Sequence, residues 1–357
     1  MKIGIVTSMS GIGGTENVSK RLSDLFSSRG NKVFLISGYG PLISGKKDNK
    51  SQWINISFYE KGLFGLLMAT AKLSLFLRKN NLDILHCQMA RPVISCWLAK
   101  IISFSKVKII WHSRGLKANT YRYVCPLFSA LRIRAIGNCL HEKDKLIRYG
   151  YNKNLVDYAY NPLPKTREIA SKNNNSTTFT IGSLSRLSKD RNVEESILIL
   201  SELVKNNIDT KLIIGGNGDE MQNLINLCRR LNIENRVIFM GKITKLEDFF
   251  KEIDVLVNTI ILHGDNGAGI GNNIIEAGTF RIPVISYNSC GIPEVILDNH
   301  TGFCIENYKR DLFIKRLIIL KENIKLRKEI GLNLNNHINQ LYSPSKVYSD
   351  LINIFKK

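Results

Sequence analysis

Gly264-Asp-Asn-Gly-Ala-Gly-Ile-Gly-Asn-Asn-Ile-Ile-Glu-Ala277 decides how the rest of this chain is read. In front of it stands Asp254-Val-Leu-Val-Asn258, a short apolar run between polar residues, the pattern of a buried parallel strand. Behind it, Asn272 to Phe280 contains no proline and opens on two asparagines, which suits a helix start. Strand, glycine-rich loop and helix in that order bring backbone N–H groups and the positive end of a helix dipole together, where an anion binds. Glu276 falls in or just past the first helical turn. Its carboxylate there repels phosphate but accepts hydrogen bonds from hydroxyls such as those of ribose. Glycine clusters also make ordinary turns, so this loop alone names no ligand.

Working outward, the second half of the chain repeats the theme. Strands are expected at Thr180–Gly182, Lys211–Ile214, Val237–Met240, Asp254–Val257 and Val284–Ser286, with helices starting at Val193, Asp219, Lys245, Asn272 and Pro293. Gly182-Ser-Leu-Ser-Arg186-Leu-Ser-Lys-Asp-Arg191-Asn192 lies between a strand and a helix and sets two guanidiniums at a strand's carboxyl end. Arginine grips diphosphate oxygens in bidentate fashion without a metal. Leu212-Ile-Ile-Gly-Gly-Asn-Gly218 is a close-approach turn, and Phe239-Met-Gly-Lys-Ile243 ends a third strand on a glycine. All of these fall at carboxyl ends of strands, where open α/β sheets bind ligands.

The first half alternates in the same way. Strands are expected at Ile3–Val6, Lys32–Ile36, Asp83–His86, Lys108–Trp111, Arg134–Gly137 and Leu155–Ala159. Helices are expected over residues 15–28, 63–78, 91–104 and 140–149. Asn161-Pro-Leu-Pro164 and the Asn-, Ser- and Lys-rich stretch 165–178 interrupt the pattern as a linker. The expected fold class is therefore α/β, with two Rossmann-like doubly wound domains facing a central cleft. Domain one covers 1–165 and domain two 166–342; 343–357, after Pro344, forms a last helix packing back on the first domain. The glycines from Gly11 are not a dinucleotide fingerprint, because Glu16 stands where the third glycine is needed.

Composition narrows the function classes. At 357 residues, 44% hydrophobic and 23% charged, the chain suits two soluble domains. The stretch Met1-Lys-Ile-Gly-Ile-Val-Thr7 enters a strand pattern directly, so no secretory signal is read, and the apolar run 62–71 is too short to span a bilayer. Seven cysteines without metal spacing read as buried thiols of a cytoplasmic protein. The net charge of +21 is unevenly placed: residues 1–165 hold 26 Lys and Arg against 8 Asp and Glu, the remainder 25 against 22. That asymmetry points the first domain at an anionic membrane surface. Nucleic acid is not expected, since aromatic interleaving and a helix-turn-helix pattern are missing. Arg114, Lys117, Arg122, Arg132 and Arg134 read as a basic cluster, the 63–78 stripe as core or membrane anchor, and His86 as a core histidine.

In this order and spacing the motifs resemble the retaining GT-B glycosyltransferases of the family-4 (glycosyl transferases group 1) type, over nearly the whole chain. Gly13-Gly14-Thr-Glu16 is similar to that family's first loop, Asp83-Ile-Leu-His86 and Trp111-His112 to its later strand ends, Asn161-Pro162 to its hinge, and Gly291-Ile-Pro-Glu294 to its closing loop. The resemblance implies that Arg186 and Arg191 hold the donor's diphosphate, with Arg191 where the family usually has lysine. It places Gly241 to Ile243 at the nucleobase and Glu276 at the ribose. The backbone of Gly271, Asn272 and Asn273 would reach phosphate or sugar, Gly13 and Gly14 the β-phosphate side, and His112 the transferred sugar. Position 268 is Ala268, where the family carries a glutamate eight residues before the Glu276 equivalent, and Asp265 or Asn266 is the substitute at hand. The implied activity is metal-independent sugar transfer, with no cofactor. The donor is a nucleotide sugar, UDP-linked by preference, and the acceptor a lipid-linked or growing surface glycan of the lipopolysaccharide or capsule kind. An inactive relative acting as a glycan- or partner-binding subunit is the alternative reading.

Overall fold

The computed structural model of the protein describes residues 1–9, 14–40, 52–60, 62–163, 178–261 and 269–357. Two compact units result, the first made of Met1–Pro162, Asp265–Gly269 and Tyr342–Lys357, the second of Leu163–Gly264 and Ile270–Leu341.

The first unit carries seven parallel strands: β1 (Lys2–Met9), β2 (Lys32–Gly38), β3 (Gln52–Asn55), β4 (Ile84–Cys87), β5 (Lys108–Ser113), β6 (Arg134–Gly137) and β7 (Val156–Tyr158). Their spatial order is β3-β2-β1-β4-β5-β6-β7. The crossover helices are α1 (Gly14–Ser28), α2 (Gly62–Lys79), α3 (Arg91–Ile102), α4 (Ala118–Ala130) and α5 (Leu140–Arg148). Strand residues alternate between two cores, as a pleated strand buried on both faces must. Val6, Ile36, Leu85 and Trp111 join α2, α3 and α4 on one side. Ile3, Ile5, Ile84 and Ile110 join Val18, Leu22 and Phe26 of α1 on the other.

The last helix, α12 (Pro344–Lys356), covers that second face. Ser343 caps it, with the hydroxyl oxygen accepting from the Lys346 N–H, and Pro344 occupies the first turn, where no N–H is missed. Phe355 stacks on Phe26 at 5.6 Å and meets His86 edge-on at 5.2 Å, and Arg29 donates to Ser345.

The second unit has six parallel strands: β8 (Phe179–Leu184), β9 (Thr210–Gly215), β10 (Val237–Gly241), β11 (Val255–Asn258), β12 (Val284–Tyr287) and β13 (Phe303–Ile305), ordered β10-β9-β8-β11-β12-β13. Its helices are α6 (Val193–Lys205), α7 (Met221–Arg230), α8 (Leu246–Phe250), α9 (Asn272–Thr279), α10 (Arg310–Glu322) and α11 (Ile324–Tyr342). An ion-pair network ties α10 to α6. Arg310 bonds Glu195 at 2.7 and 2.8 Å and Glu202 at 2.8 Å, while the Tyr287 hydroxyl donates to Glu195 at 2.8 Å. Burial raises the Glu195 carboxyl, but the bonds from Arg310 and Tyr287 outweigh it and the net shift is downward.

Several elements differ from the sequence expectation. No helix starts at Pro293, where Ile292–Glu294 makes a single 3₁₀ turn. Strands β3 and β13 and helices α4, α10 and α11 come in addition to those expected. The basic cluster does not exist as one patch. Arg114 follows the carboxyl end of β5, whereas Arg134 opens β6 at the opposite edge of the sheet and pairs with Asp157 at 2.8 Å. No described helix is long and apolar enough to cross a membrane.

Candidate functional site

In each unit the strand order reverses at one place, and at that place the loops from neighbouring strands diverge and leave room for a ligand. In the second unit it is the carboxyl edge between β8 and β11. The chain leaves β8 with the Ser185 N–H on the Gly215 carbonyl, then makes a 3₁₀ turn over Lys189–Arg191 and enters α6 through Asn192 at φ 50°. Asn192 and Thr259 clasp each other: the Asn192 amide donates to the Thr259 carbonyl at 2.9 Å and the Thr259 hydroxyl to the Asn192 carbonyl at 2.8 Å. The loop after β8 is thus tied to the end of β11.

On that loop Arg186 and Arg191 converge on one carboxylate. Arg186 lies 3.6 Å and Arg191 3.3 Å from Asp190, and the Ser188 hydroxyl donates to Asp190 at 2.6 Å while accepting from Arg186 at 3.2 Å. Burial pushes the Asp190 carboxyl up; the Ser188 hydroxyl and then the two guanidiniums more than reverse it. Arg186 is 64% exposed and Arg191 37%, so both guanidiniums reach solvent.

Asn273 joins the group from α9, donating to the Leu184 carbonyl at the end of β8 at 3.0 Å and reaching the Asn258 oxygen at 3.5 Å. Its side chain therefore fixes the helix to both central strands. The backbone N–H groups of Asn272 and Asn273, in the first turn after Gly271, have no partner among the described residues. Glu276 lies on the half-exposed face of α9 with Asn272 and Asn273, while Ile274, Ile275, Ala277 and Gly278 face the core.

Gly241, at φ +65°, takes a bond from the Gly216 N–H at 2.7 Å, and Ile243 packs on Gly215. Gly216 has to be glycine: its φ is +140°, and a Cβ would sit 1.8 Å from the Ser185 carbonyl oxygen. Arg186, Arg191, Gly241, Ile243, Gly271, Asn272, Asn273 and Glu276 accordingly all stand on the carboxyl edge of one sheet. Gly13 and Asp265, with His263, Asn266 and Ala268, lie outside the described residues.

The corresponding edge of the first unit is built differently. Gly14, exposed, opens α1 after β1. His86 of β4 and His112 of β5 are both fully buried, with Nε2 of the first 3.0 Å from Nδ1 of the second. Arg114, which can only donate, lies 3.4 Å from the same His112 Nδ1. Nδ1 of His112 is therefore the acceptor, His86 donates from Nε2, and the His112 proton sits on Nε2. That leaves His86 Nδ1 and His112 Nε2 buried without a well-aligned partner among the described residues.

Burial first and the Arg114 charge second bring the His86 pKa down to about 3. The same two causes, followed by His86 and opposed by the Ala159 backbone, put His112 well below the ordinary histidine value. Both rings are neutral throughout the physiological range. His112 thus presents no exposed nitrogen in this conformation, and His86 is a core histidine whose hydrogen bonding is only half met.

Arg114 is half-buried and bonds only neutral groups among the described residues: Gln88 through Nε at 3.1 Å and again through Nη2, Asn161 through Nη1, and His112. Burial brings its pKa down to about 9. It lines a cavity of about 430 Å³ beside α3 and α4, together with Trp111, Ile94, Val124 and Phe128. The Trp111 indole N–H is buried and has no partner among the described residues, a state that costs about 1–3 kcal/mol. Glu142 and Lys145 of α5 form a fully buried pair at 3.0 Å. The Ser113 and Tyr121 hydroxyls each donate to Glu142 at 2.5 Å. Burial, then Glu142, raises the Tyr121 pKa far above the ordinary phenol value.

The sequence did not point to Asp190, Gln88 or the Glu142–Lys145 pair as functional or structural centres. For Asp190 a signal was present, a carboxylate four residues after one arginine and adjacent to another.

Residues 164–337 match the family described as glycosyl transferases group 1. The matched stretch, which makes up most of the second unit, belongs to that family. As a whole this glycosyltransferase is 23% identical to the N-acetyl-alpha-D-glucosaminyl L-malate synthase of Bacillus anthracis over 389 residues, covering 99% of this chain and 96% of that protein. Its fold is that of GT-B glycosyltransferases. A glycosyltransferase from Rickettsia africae superposes with a TM-score of 0.84 at 17% identity, over 99% of this chain and 97% of that one. Anabaena HepE, solved in complex with UDP and glucose, superposes with a TM-score of 0.81 at 16% identity, over 100% and 99%.

Proposed function

We propose that this glycosyltransferase moves a sugar from a UDP-linked donor, with retention of anomeric configuration, to a lipid-linked or growing surface-glycan acceptor. One observation carries the reading: two exposed guanidiniums, Arg186 and Arg191, converge at the carboxyl edge where β8 and β11 part, on the same edge as the N–H groups that open α9. That is a place for a diphosphate. Breaking the bond between the sugar's anomeric carbon and the diphosphate oxygen leaves negative charge on the diphosphate. Preorganised guanidiniums and helix-terminal N–H groups stabilise that charge more as it grows. The acceptor hydroxyl attacks from the face the diphosphate leaves, and its proton passes to a phosphate oxygen. HepE, similar in fold over its whole length, holds UDP, which favours uracil as the base. Gly241 to Ile243 would meet that base and Glu276 the ribose hydroxyls.

The acceptor side of the reading rests on charge and on α2. Leu63, Phe64, Leu67, Met68 and Leu75 are exposed along α2, with Lys72, Arg78 and Lys79 beside and beyond them. An apolar stripe flanked by lysine and arginine suits the surface of an anionic membrane, as does the excess of basic residues in the first half.

The test is a donor panel. Purified protein with UDP-, GDP- and TDP-sugars and a lipid extract as acceptor should release UDP from one donor, with the anomeric configuration kept by NMR and turnover unchanged by EDTA. Binding of every nucleotide without release from any would support the inactive relative instead.

A further inference from the structure

The clasp between Asn192 and Thr259 holds more than two neighbouring loops in contact. A third hydroxyl belongs to it: Ser196, near the start of α6, lies 3.1 Å from the Thr259 hydroxyl. The Asn192 carbonyl can only accept, so the single Thr259 hydroxyl proton goes to that carbonyl, at 2.8 Å, and Ser196 donates to Thr259. Thr259 and Ser196 are both buried. Water therefore does not compete for these bonds, and each is stronger than it would be at the surface.

The residue that the clasp fixes is the neighbour of Arg191. Asn192 is left-handed, at φ 50°, and it alone stands between the 3₁₀ turn that ends on Arg191 and helix α6. Asparagine adopts that conformation at small cost. Its carbonyl also accepts the Glu195 N–H at 3.2 Å, and its amide donates to the Thr259 carbonyl at 2.9 Å. Arg191 itself is tied only loosely through its side chain, in a solvent-exposed pair with Asp190 at 3.3 Å, and such a pair holds a long side chain weakly. The place of the guanidinium is thus set mainly by the backbone beside it. Thr259 is the first residue after β11, five residues before the glycine-rich stretch that starts at Gly264.

We propose that Thr259 is a positioning residue for the donor's diphosphate, acting through Asn192 on Arg191. This rests on the transferase reading above and adds to it a residue whose hydroxyl is turned to Asn192 and Ser196. Displacing a binding group by about 1 Å can lose on the order of a hundredfold in rate. A buried hydroxyl on the next strand can therefore govern an exposed guanidinium.

The experiment measures UDP binding to the full chain by calorimetric titration, with thermal unfolding of every variant alongside. Thr259→Val keeps the branched shape and removes the hydroxyl; Thr259→Ser keeps the hydroxyl. Thr259→Val should weaken UDP binding about tenfold, and Thr259→Ser by less than about twofold. A double-mutant cycle separates positioning from general loosening. Arg191→Ala weakens UDP binding by itself, and adding Thr259→Val to it should then change affinity by less than about twofold, because the group being positioned is gone. Should Thr259→Val fail to fold, Asn192→Gly takes its place in the cycle: glycine accepts the same φ and lacks the amide that reaches Thr259.

UDP binding unchanged in Thr259→Val, an equal loss in Thr259→Ser, or a loss that persists undiminished on Arg191→Ala overturns the proposal. In each of these cases the unaltered protein still binds UDP through Arg191, and the donor reading stands. No response of the unaltered protein to UDP, or binding indifferent to Arg191→Ala, removes the donor reading and this inference together.

Discussion

The two units are the same doubly wound sheet with opposite treatments of the same edge. In the second unit the polar groups at the carboxyl edge are on the surface: Arg186 and Arg191 reach solvent and share a half-exposed Asp190. In the first unit the polar groups are inside: His86, His112, Glu142 and Lys145 are fully buried, and Arg114 is half-buried in the wall of an apolar cavity. An exposed ion pair contributes about 0–1 kcal/mol to stability, so the second edge gives up little when a ligand takes over its guanidiniums. A buried charge without its partner costs several times more, so the first edge is held in one arrangement. One edge is ready for exchange of counter-ions; the other is a rigid wall.

The difference can be broken most forcefully at Glu142. Glu142→Ala leaves the buried Lys145 ammonium without that carboxylate and takes the acceptor from the Ser113 and Tyr121 hydroxyls. A loss of about 3–5 kcal/mol in urea unfolding is expected. A loss below about 1 kcal/mol would show that the pair is hydrated and the wall is not rigid.

The next effect is in pH. His86 has a folded pKa of about 3 against an ordinary 6.5, so between those values the unfolded chain binds the extra proton. Stability is fully present above about pH 6.5 and falls as the pH drops toward 3, by up to several kcal/mol. His86→Asn should flatten this part of the profile. An unchanged slope would mean that other groups carry the acid sensitivity.

In the second unit the same kind of change should spare the fold and cost the ligand. Arg186→Ala is expected to move stability by less than about 0.5 kcal/mol while weakening UDP binding by the value of a charge-assisted bond, about 1.5–3 kcal/mol. Calorimetric titration and urea unfolding on the same preparation separate the two.

The smallest effect sharpens the contrast. Asp190→Asn removes the carboxylate that both arginines share, and UDP binding should tighten a few-fold. Weaker binding would make Asp190 an organiser of the arginines rather than their stand-in ligand.

Much of this protein could be read without coordinates. The short runs Ile3 to Val6 and Asp83 to His86 carry apolar residues on consecutive positions, as a strand covered on both faces requires, and they appear as adjacent central parallel strands. Gly216 marks a strand end because only glycine accepts its φ of +140° and its close approach to the Ser185 carbonyl, and Gly241, at φ +65°, ends another strand. These are local properties, set by neighbours in the chain, and they sufficed for the two-sheet architecture and for placing the arginine and glycine loops at one edge. Some elements lost their local signal: Pro126 inside α4 reads as a break, and β3 is a four-residue strand at the edge of its sheet, with no residue fully buried. The helical period of Phe313, Leu317 and Leu320 in α10 was legible but outside the motifs that drew the reading.

Tertiary structure alone decided the environments. Nothing in a sequence tells that His86 and His112, 26 residues apart, stack in a dry core, or that Glu142 finds Ser113 and Tyr121. Nor could it separate Arg114 in an apolar wall from Arg134 in a surface pair. A side chain's charge is written in its type. Its free energy depends on how much water and which partners the fold leaves around it, and that is a sum over neighbours distant in the chain.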